Sequence, residues 1–157
     1  MLSIADDFTR PGALRAAAER IAKEVPDFFC LHGIEAGDAF ATATRFDCEW
    51  AYRGAQALFW RSAFHAREVH DRYLPGPLLR PFERRGLLEV DGEVHGTPLT
   101  LIATQLSNDR SRIREMRFVR SVMRRSNADV LLFVAGFDPN AQRYGFDDLR
   151  VSRVITA

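Results

Sequence analysis

The residues best equipped for chemistry in this sequence are arginines. Arg110, Arg112, Arg114, Arg117, Arg120, Arg124 and Arg125 stand against only Asp109 and Glu115, and Arg80, Arg84 and Arg85 form a smaller cluster. Guanidinium groups grip phosphate oxygens through paired hydrogen bonds, so either cluster suits a nucleic acid, another phosphate-bearing ligand or an acidic partner. The plainer expectation for the first is a solvated helix face, whereas the second precedes a strand and is better placed for a ligand. Phe59-Trp60 and the Trp50 and Tyr52 pair carry surface on which bases stack, but aromatics in strands are read here as packing. Other chemistries find less support. Cys30 and Cys48 are too few for a disulfide framework, lack metal-ligand spacing and are expected as buried free thiols. No serine sits in a Gly-x-Ser-x-Gly turn, and no nucleotide-type glycine-rich loop occurs. His65, His70 and His95 have no partner spacing and receive no role.

These side chains must be held by a single domain. The 157 residues are 46% hydrophobic and 27% charged, enough for one ordinary core, and no repeat or low-complexity tract divides them. A net charge of +1 argues against coating nucleic acid by bulk electrostatics. Lys23 is the single lysine among the 22 basic residues, a skew that base composition of the genome would produce. No run approaches the ~18 uncharged apolar residues of a membrane span, and the N-terminus lacks secretory-signal character, so the expectation is a soluble, cytoplasmic protein with no membrane span.

The pattern alternates strands and helices. Residues 2–5 form a short strand, and from Pro11 the apolar residues Leu14, Ala17, Ala18, Ile21 and Ala22 recur at helical spacing until Pro26. Residues 28–31 read as a buried strand, 49–53 and 55–60 as two strands around Gly54, and 64–69 as a third. Residues 74–77 are loop because neither proline there can donate a backbone bond. Residues 86–90 and 99–103 make an antiparallel hairpin across an eight-residue loop, so the sheet is not purely parallel. Ser107, Asn108 and Asp109 offer caps for a helix whose stripe is Ile113, Met116, Val119, Val122 and Met123. Residues 130–135 make a central strand, and 149–155 one more.

The order of five segments resembles the endonuclease/exonuclease/phosphatase superfamily: residues 26–31, Gly54 to Arg61, Arg85 to Val90, Leu99 to Leu106, and 131–140. The resemblance implies a compact α/β sandwich of two mixed, largely antiparallel β-sheets flanked by α-helices, as in deoxyribonuclease. It further implies an active site at one end of the sandwich that hydrolyses phosphoesters with a divalent metal, usually Mg²⁺.

The chain departs from the family at the catalytic positions. The family asparagine ending the first strand has no counterpart in Ile4-Ala5-Asp6-Asp7-Phe8, where Asp7 is the available metal ligand. The family Leu-Gln-Glu, with its metal-binding glutamate, reads Leu31-His32-Gly33; Glu35 follows two residues on, ~6.6 Å further along an extended chain. The family Thr-His-Leu reads Thr104-Gln105-Leu106, and the glutamine can donate a hydrogen bond to phosphate but cannot carry a proton as imidazole does. The family Gly-Asp-Phe-Asn reads Gly136-Phe137-Asp138-Pro139-Asn140, and the closing Ser-Asp-His is absent. The resemblance thus assigns catalytic positions to Asp138, Asn140 and Gln105, and metal positions to Glu35 and Asp7. Beside the site, His32 and Arg85 stand as ligand-binding candidates.

Three readings remain. The first is a domain of this family with lost or much reduced hydrolysis that binds a phosphate-containing ligand or a protein partner. The second is an active, divergent Mg²⁺-dependent phosphodiesterase or endonuclease in which Asp7, Glu35 and Asp138 converge on one cation. The third is a nucleic-acid-binding module without catalysis, its arginine-rich helix continuous with the cleft. Shortened loops add the expectation of a homodimer that covers an exposed sheet edge.

Overall fold

The structure, a computed structural model, describes residues 1–6, 8–75, 85–107, 111–135 and, as backbone, 151–156. Two sheets pack face to face. The first has the order β1-β2-β4-β3, from β1 (Leu2–Ala5), β2 (Phe28–His32), β3 (Glu49–Arg53) and β4 (Gln56–Trp60). The second runs β5-β6-β7-β8-β9, from β5 (Phe64–Tyr73), β6 (Gly86–Val94), β7 (Thr97–Gln105), β8 (Asp129–Ala135) and β9 (Val151–Thr156). Both are mixed: β1 with β2, β7 with β8 and β8 with β9 are parallel, and the other neighbours antiparallel. This is the α/β sandwich that the resemblance implies.

The central strands of the first sheet, β2 and β4, are largely apolar on both faces because both are covered. Phe29, Leu31, Ala57 and Phe59 turn outward to α1 (Ala13–Glu24) and α2 (Ala36–Phe46), with the Phe29 and Phe59 rings stacked 4.5 Å apart. Their neighbours Cys30, Leu58 and Trp60 turn inward to Leu88, Leu101, Leu131 and Phe133 of the second sheet. On the far side Met116, Val119, Val122 and Met123 of α3 (Arg112–Met123) lie against Leu87, Ile102, Leu132 and Val134. The period of two along each strand therefore builds three apolar layers from two sheets. The cysteines are both free, Cys30 buried and Cys48 half-buried.

Several boundaries differ from the sequence expectation. The hairpin loop shrinks to His95 and Gly96, both at positive φ (50° and 79°), because β6 runs to Val94 and β7 starts at Thr97; residues 91–94, 97 and 98, read as loop, belong to the strand ends. A two-residue turn of that hand matches the strand twist. The first helix begins two residues after Pro11 and ends at Glu24, and the C-cap Val25, with a φ of 44°, turns the chain before Pro26. The α3 N-cap is Ser111, whereas Ser107, Asn108 and Asp109 were the caps the sequence offered; Asn108 and Asp109 lie outside the described residues. The helix α2 had no place in the sequence reading, since its buried positions are Ala39, Thr42 and Ala43 and give little hydrophobic contrast. Of the strand expected at 149–155, residues 151–156 are described as β9. Of the loop at 74–77, Leu74 is buried and its N–H bonds the Arg85 carbonyl, and residues 76 and 77 lie outside the described residues.

Candidate functional site

Register brings the resemblance-assigned segments to one end of the sandwich. Parallel pairing sets Ala5 of β1 opposite His32 of β2, and antiparallel pairing sets His32 opposite Gln56, where β4 begins. In the second sheet Gln105, the last residue of β7, pairs with Ala135, the last of β8. Gln56 joins the two halves: its amide Nε2 donates to the carbonyls of Gly86 (2.9 Å) and Ala103 (3.3 Å), both on the other sheet. Thr104 Oγ1 donates to the same Gly86 carbonyl at 3.2 Å.

Beneath this end lies a buried polar group that the sequence reading did not assemble. His32 is 1% exposed, and its Nε2 lies 3.1 Å from the Ser3 hydroxyl. Burial disfavours the imidazolium and lowers the His32 pKa to about 4, and the side chain of Gln56 acts in the opposite direction. His32 is therefore neutral at physiological pH. Its Nδ1 and the Oε1 of Gln56 each lack a hydrogen-bond partner. The two are complementary: when Ser3 donates to Nε2, Nδ1 carries a proton to give and Oε1 has lone pairs to receive one. A polar residue opening the apolar run at 56–60 was the available signal for Gln56; nothing local marked Ser3.

The link between the first two strands depends on Gly33. Its φ is +93°, and a Cβ there would collide with the Asp6 carbonyl oxygen. The backbone closes tightly around it: Gly33 N–H donates to Ala55 O at 2.6 Å, and Asp6 N–H to His32 O at 3.2 Å. At the position where the resemblance expects a metal-binding glutamate, close approach of two strand ends admits no side chain without strain.

The candidate residues are distributed unevenly about this end. Gln105 is half-buried at the end of β7, and Arg85 is half-buried immediately before β6. Glu35 is exposed at the N-cap position of α2, in extended conformation, and its carboxylate makes no capping bond. His32 lies below the surface, where burial leaves it no open contact with a ligand. Asp6, neighbour of the proposed ligand Asp7, pairs with Arg10. Asp7, Asp138 and Asn140 lie outside the described residues, as do Arg80 and Arg84. Among the described residues no three His, Cys, Asp or Glu side chains converge as a metal site, so no cation set forms from Glu35 with its described neighbours. No helix among the described residues is long and apolar enough to cross a membrane.

Comparison with known proteins places this geometry. No protein-family profile matches the sequence, and no curated protein matches it. Solved structures do match, 72 chains in all. TDP2 from Caenorhabditis elegans superposes with a TM-score of 0.64 at 17% identity, covering 98% of this chain and 50% of that one. An endonuclease/exonuclease/phosphatase family protein from Bacteroides thetaiotaomicron gives 0.62 at 13% identity, covering 71% and 49%. Danio rerio TDP2, complexed with a single-strand DNA product, gives 0.61 at 16%, covering 78% and 52%. The fold is that of the endonuclease/exonuclease/phosphatase structures. The chain spans about half the length of the solved proteins it matches.

Proposed function

We propose that this chain is an endonuclease/exonuclease/phosphatase superfamily domain that binds a phosphate-bearing ligand or a protein partner at the Gln105 end of the sandwich, with hydrolysis lost or much reduced. Two observations carry the reading together: a glutamine, Gln105, ends β7 opposite Ala135, and the buried His32 of the other sheet is held neutral. A glutamine amide donates a hydrogen bond to a phosphate oxygen and neither takes nor gives a proton there. His32, with a pKa of about 4 and 1% exposure, does not replace the missing acid or base. Binding and positioning therefore survive where proton transfer does not: Gln105 and Arg85 offer donors to the anion, and the Gln56 amide holds the two sheets in register behind them.

The competing reading is a divergent Mg²⁺-dependent phosphodiesterase, with Asp7, Glu35 and Asp138 holding the cation and Asn140 contacting phosphate. The single-strand DNA product on Danio rerio TDP2 shows that this fold accommodates such a ligand in that protein. The deciding experiment is hydrolysis of a generic phosphodiester and of abasic-site DNA with and without Mg²⁺ or Mn²⁺, with Asp138→Ala run alongside. The expected result is no metal-dependent turnover in either protein, with inorganic phosphate raising the melting temperature of the wild type and doing so less in Gln105→Ala. Metal-dependent turnover that disappears in Asp138→Ala would overturn the proposal.

A further inference from the structure

We infer that the outward face of α3 is a track for the phosphodiester backbone of a nucleic-acid strand. This goes beyond the cleft reading and rests on a different surface. Arg114, Arg117, Ser121 and Arg124 follow the alternating three- and four-residue spacing that keeps side chains on one helix face, and Arg125 lies four residues after Ser121. The opposite face holds Met116, Val119, Val122 and Met123 in the core, so the arginines point away from the sheet. Arg114, Arg117, Arg124 and Arg125 are exposed, and none of the four forms an ion pair among the described residues. The single acid of the helix, Glu115, does not offset them: it is 2% exposed and accepts the Ser107 N–H at 2.7 Å.

Such a helix raises its own electrostatic cost, because like charges three and four residues apart repel. An extended anion relieves that cost. The stripe spans roughly 16 Å, the axial length of four to five nucleotides at about 3.4 Å each. Its start follows the Gln105 end of β7 in the chain, and its far end reaches Arg125, which also lines a groove of about 450 Å³ with Arg67, His70, Asp91, Thr100 and the ion pair of Arg72 with Glu89. The groove has room for a nucleotide beyond the stripe. A membrane is a poorer occupant, since an interfacial helix must bury its apolar face in lipid and here that face is packed on the second sheet. An acidic protein is poorer too, because among the described residues α3 exposes one large apolar side chain, Ile113, and protein interfaces are anchored by apolar pockets.

The test is fluorescence anisotropy of short single-stranded DNA and RNA on the full chain across a salt titration. Four phosphate contacts give a log K against log salt slope of about −3. The triple variant Arg114→Ala/Arg117→Ala/Arg124→Ala is expected to weaken binding at least ~10-fold and to bring the slope to about −1, whereas Arg15→Ala on α1 leaves both unchanged. The triple lysine variant keeps the charges and guards against a folding artefact: it should retain the slope while binding more weakly, because a lysine cannot grip phosphate through two parallel bonds. No salt-dependent binding, or an unchanged slope in the triple alanine variant, would overturn the inference. So would binding to phosphatidylserine vesicles that needs the stripe while oligonucleotides do not bind. Hydrolysis is not read in this assay, so the cleft proposal and this one can fail separately.

Discussion

The two helical layers treat their polar groups in opposite ways. On the first sheet, α1 closes its charges locally: Arg15 bonds Glu19 at 2.9 Å and Arg20 bonds Glu24 at 2.8 Å, each four residues apart. That same sheet leaves two polar atoms without partners at the cleft end, His32 Nδ1 and Gln56 Oε1. On the second sheet α3, equal in length at twelve residues, buries its only acid, and its exposed Arg114 and Arg117 form no ion pair among the described residues. The lesson is that a net charge of +1 describes neither surface. What matters is whether an acid falls at the fourth position after a base, as it does throughout α1 and nowhere in α3.

The contrast can be broken most severely at the cleft end of the first layer. Gly33→Ala forces a Cβ toward the Asp6 carbonyl at a φ of +93°, so chemical denaturation should show a loss of about 3 kcal/mol. A change below about 1 kcal/mol would mean that β1 is not held as closely to β2 as described. The next largest effect is on pH. The unfolded chain protonates its histidine near 6.5 and the folded chain only near 4, so the His32 contribution is complete above about pH 6.5 and is lost as pH falls toward 4. Stability measured by urea titration should fall by roughly 2 to 3 kcal/mol over that window, and His32→Leu should flatten it. An unaltered slope in the variant would assign the acid sensitivity to other groups. The smallest effects sharpen the comparison by their sign. Glu19→Ala in α1 should cost about 0.3 kcal/mol by breaking an exposed pair, while Arg117→Ala in α3 should raise stability by a similar amount through relief of repulsion, both read from melting curves in low salt. Equal signs would remove the distinction between the two helices.

Much of the architecture was legible because burial on both faces writes long apolar runs into β2, β4 and β8, and because α1 and α3 carry conventional stripes. The helix α2 escaped because Ala39, Thr42 and Ala43 pack through smallness instead of hydrophobic contrast. At the site, the identity of Gln105 was readable from its triplet, and its position at the β7 terminus follows from strand pairing. The triad of Ser3, His32 and Gln56 was not readable, since its members are 29 and 24 residues apart in sequence and meet only through register across three strands. His32 shows the limit most plainly: a histidine at a strand end reads as surface chemistry until the neighbouring strand closes over it.

The Gln56 amide has a consequence for how the domain opens. Both its protons are held by carbonyls of the opposite sheet in a region closed to water, so at this end the sheets cannot separate without exposing unpaired groups from each. Local breathing there is coupled to the whole sandwich, in contrast to the fraying usual for strand termini. The backbone amides around Gln56 are accordingly expected to exchange on the timescale of global unfolding in a hydrogen-exchange measurement, and this end of the sandwich to persist as long as the fold itself.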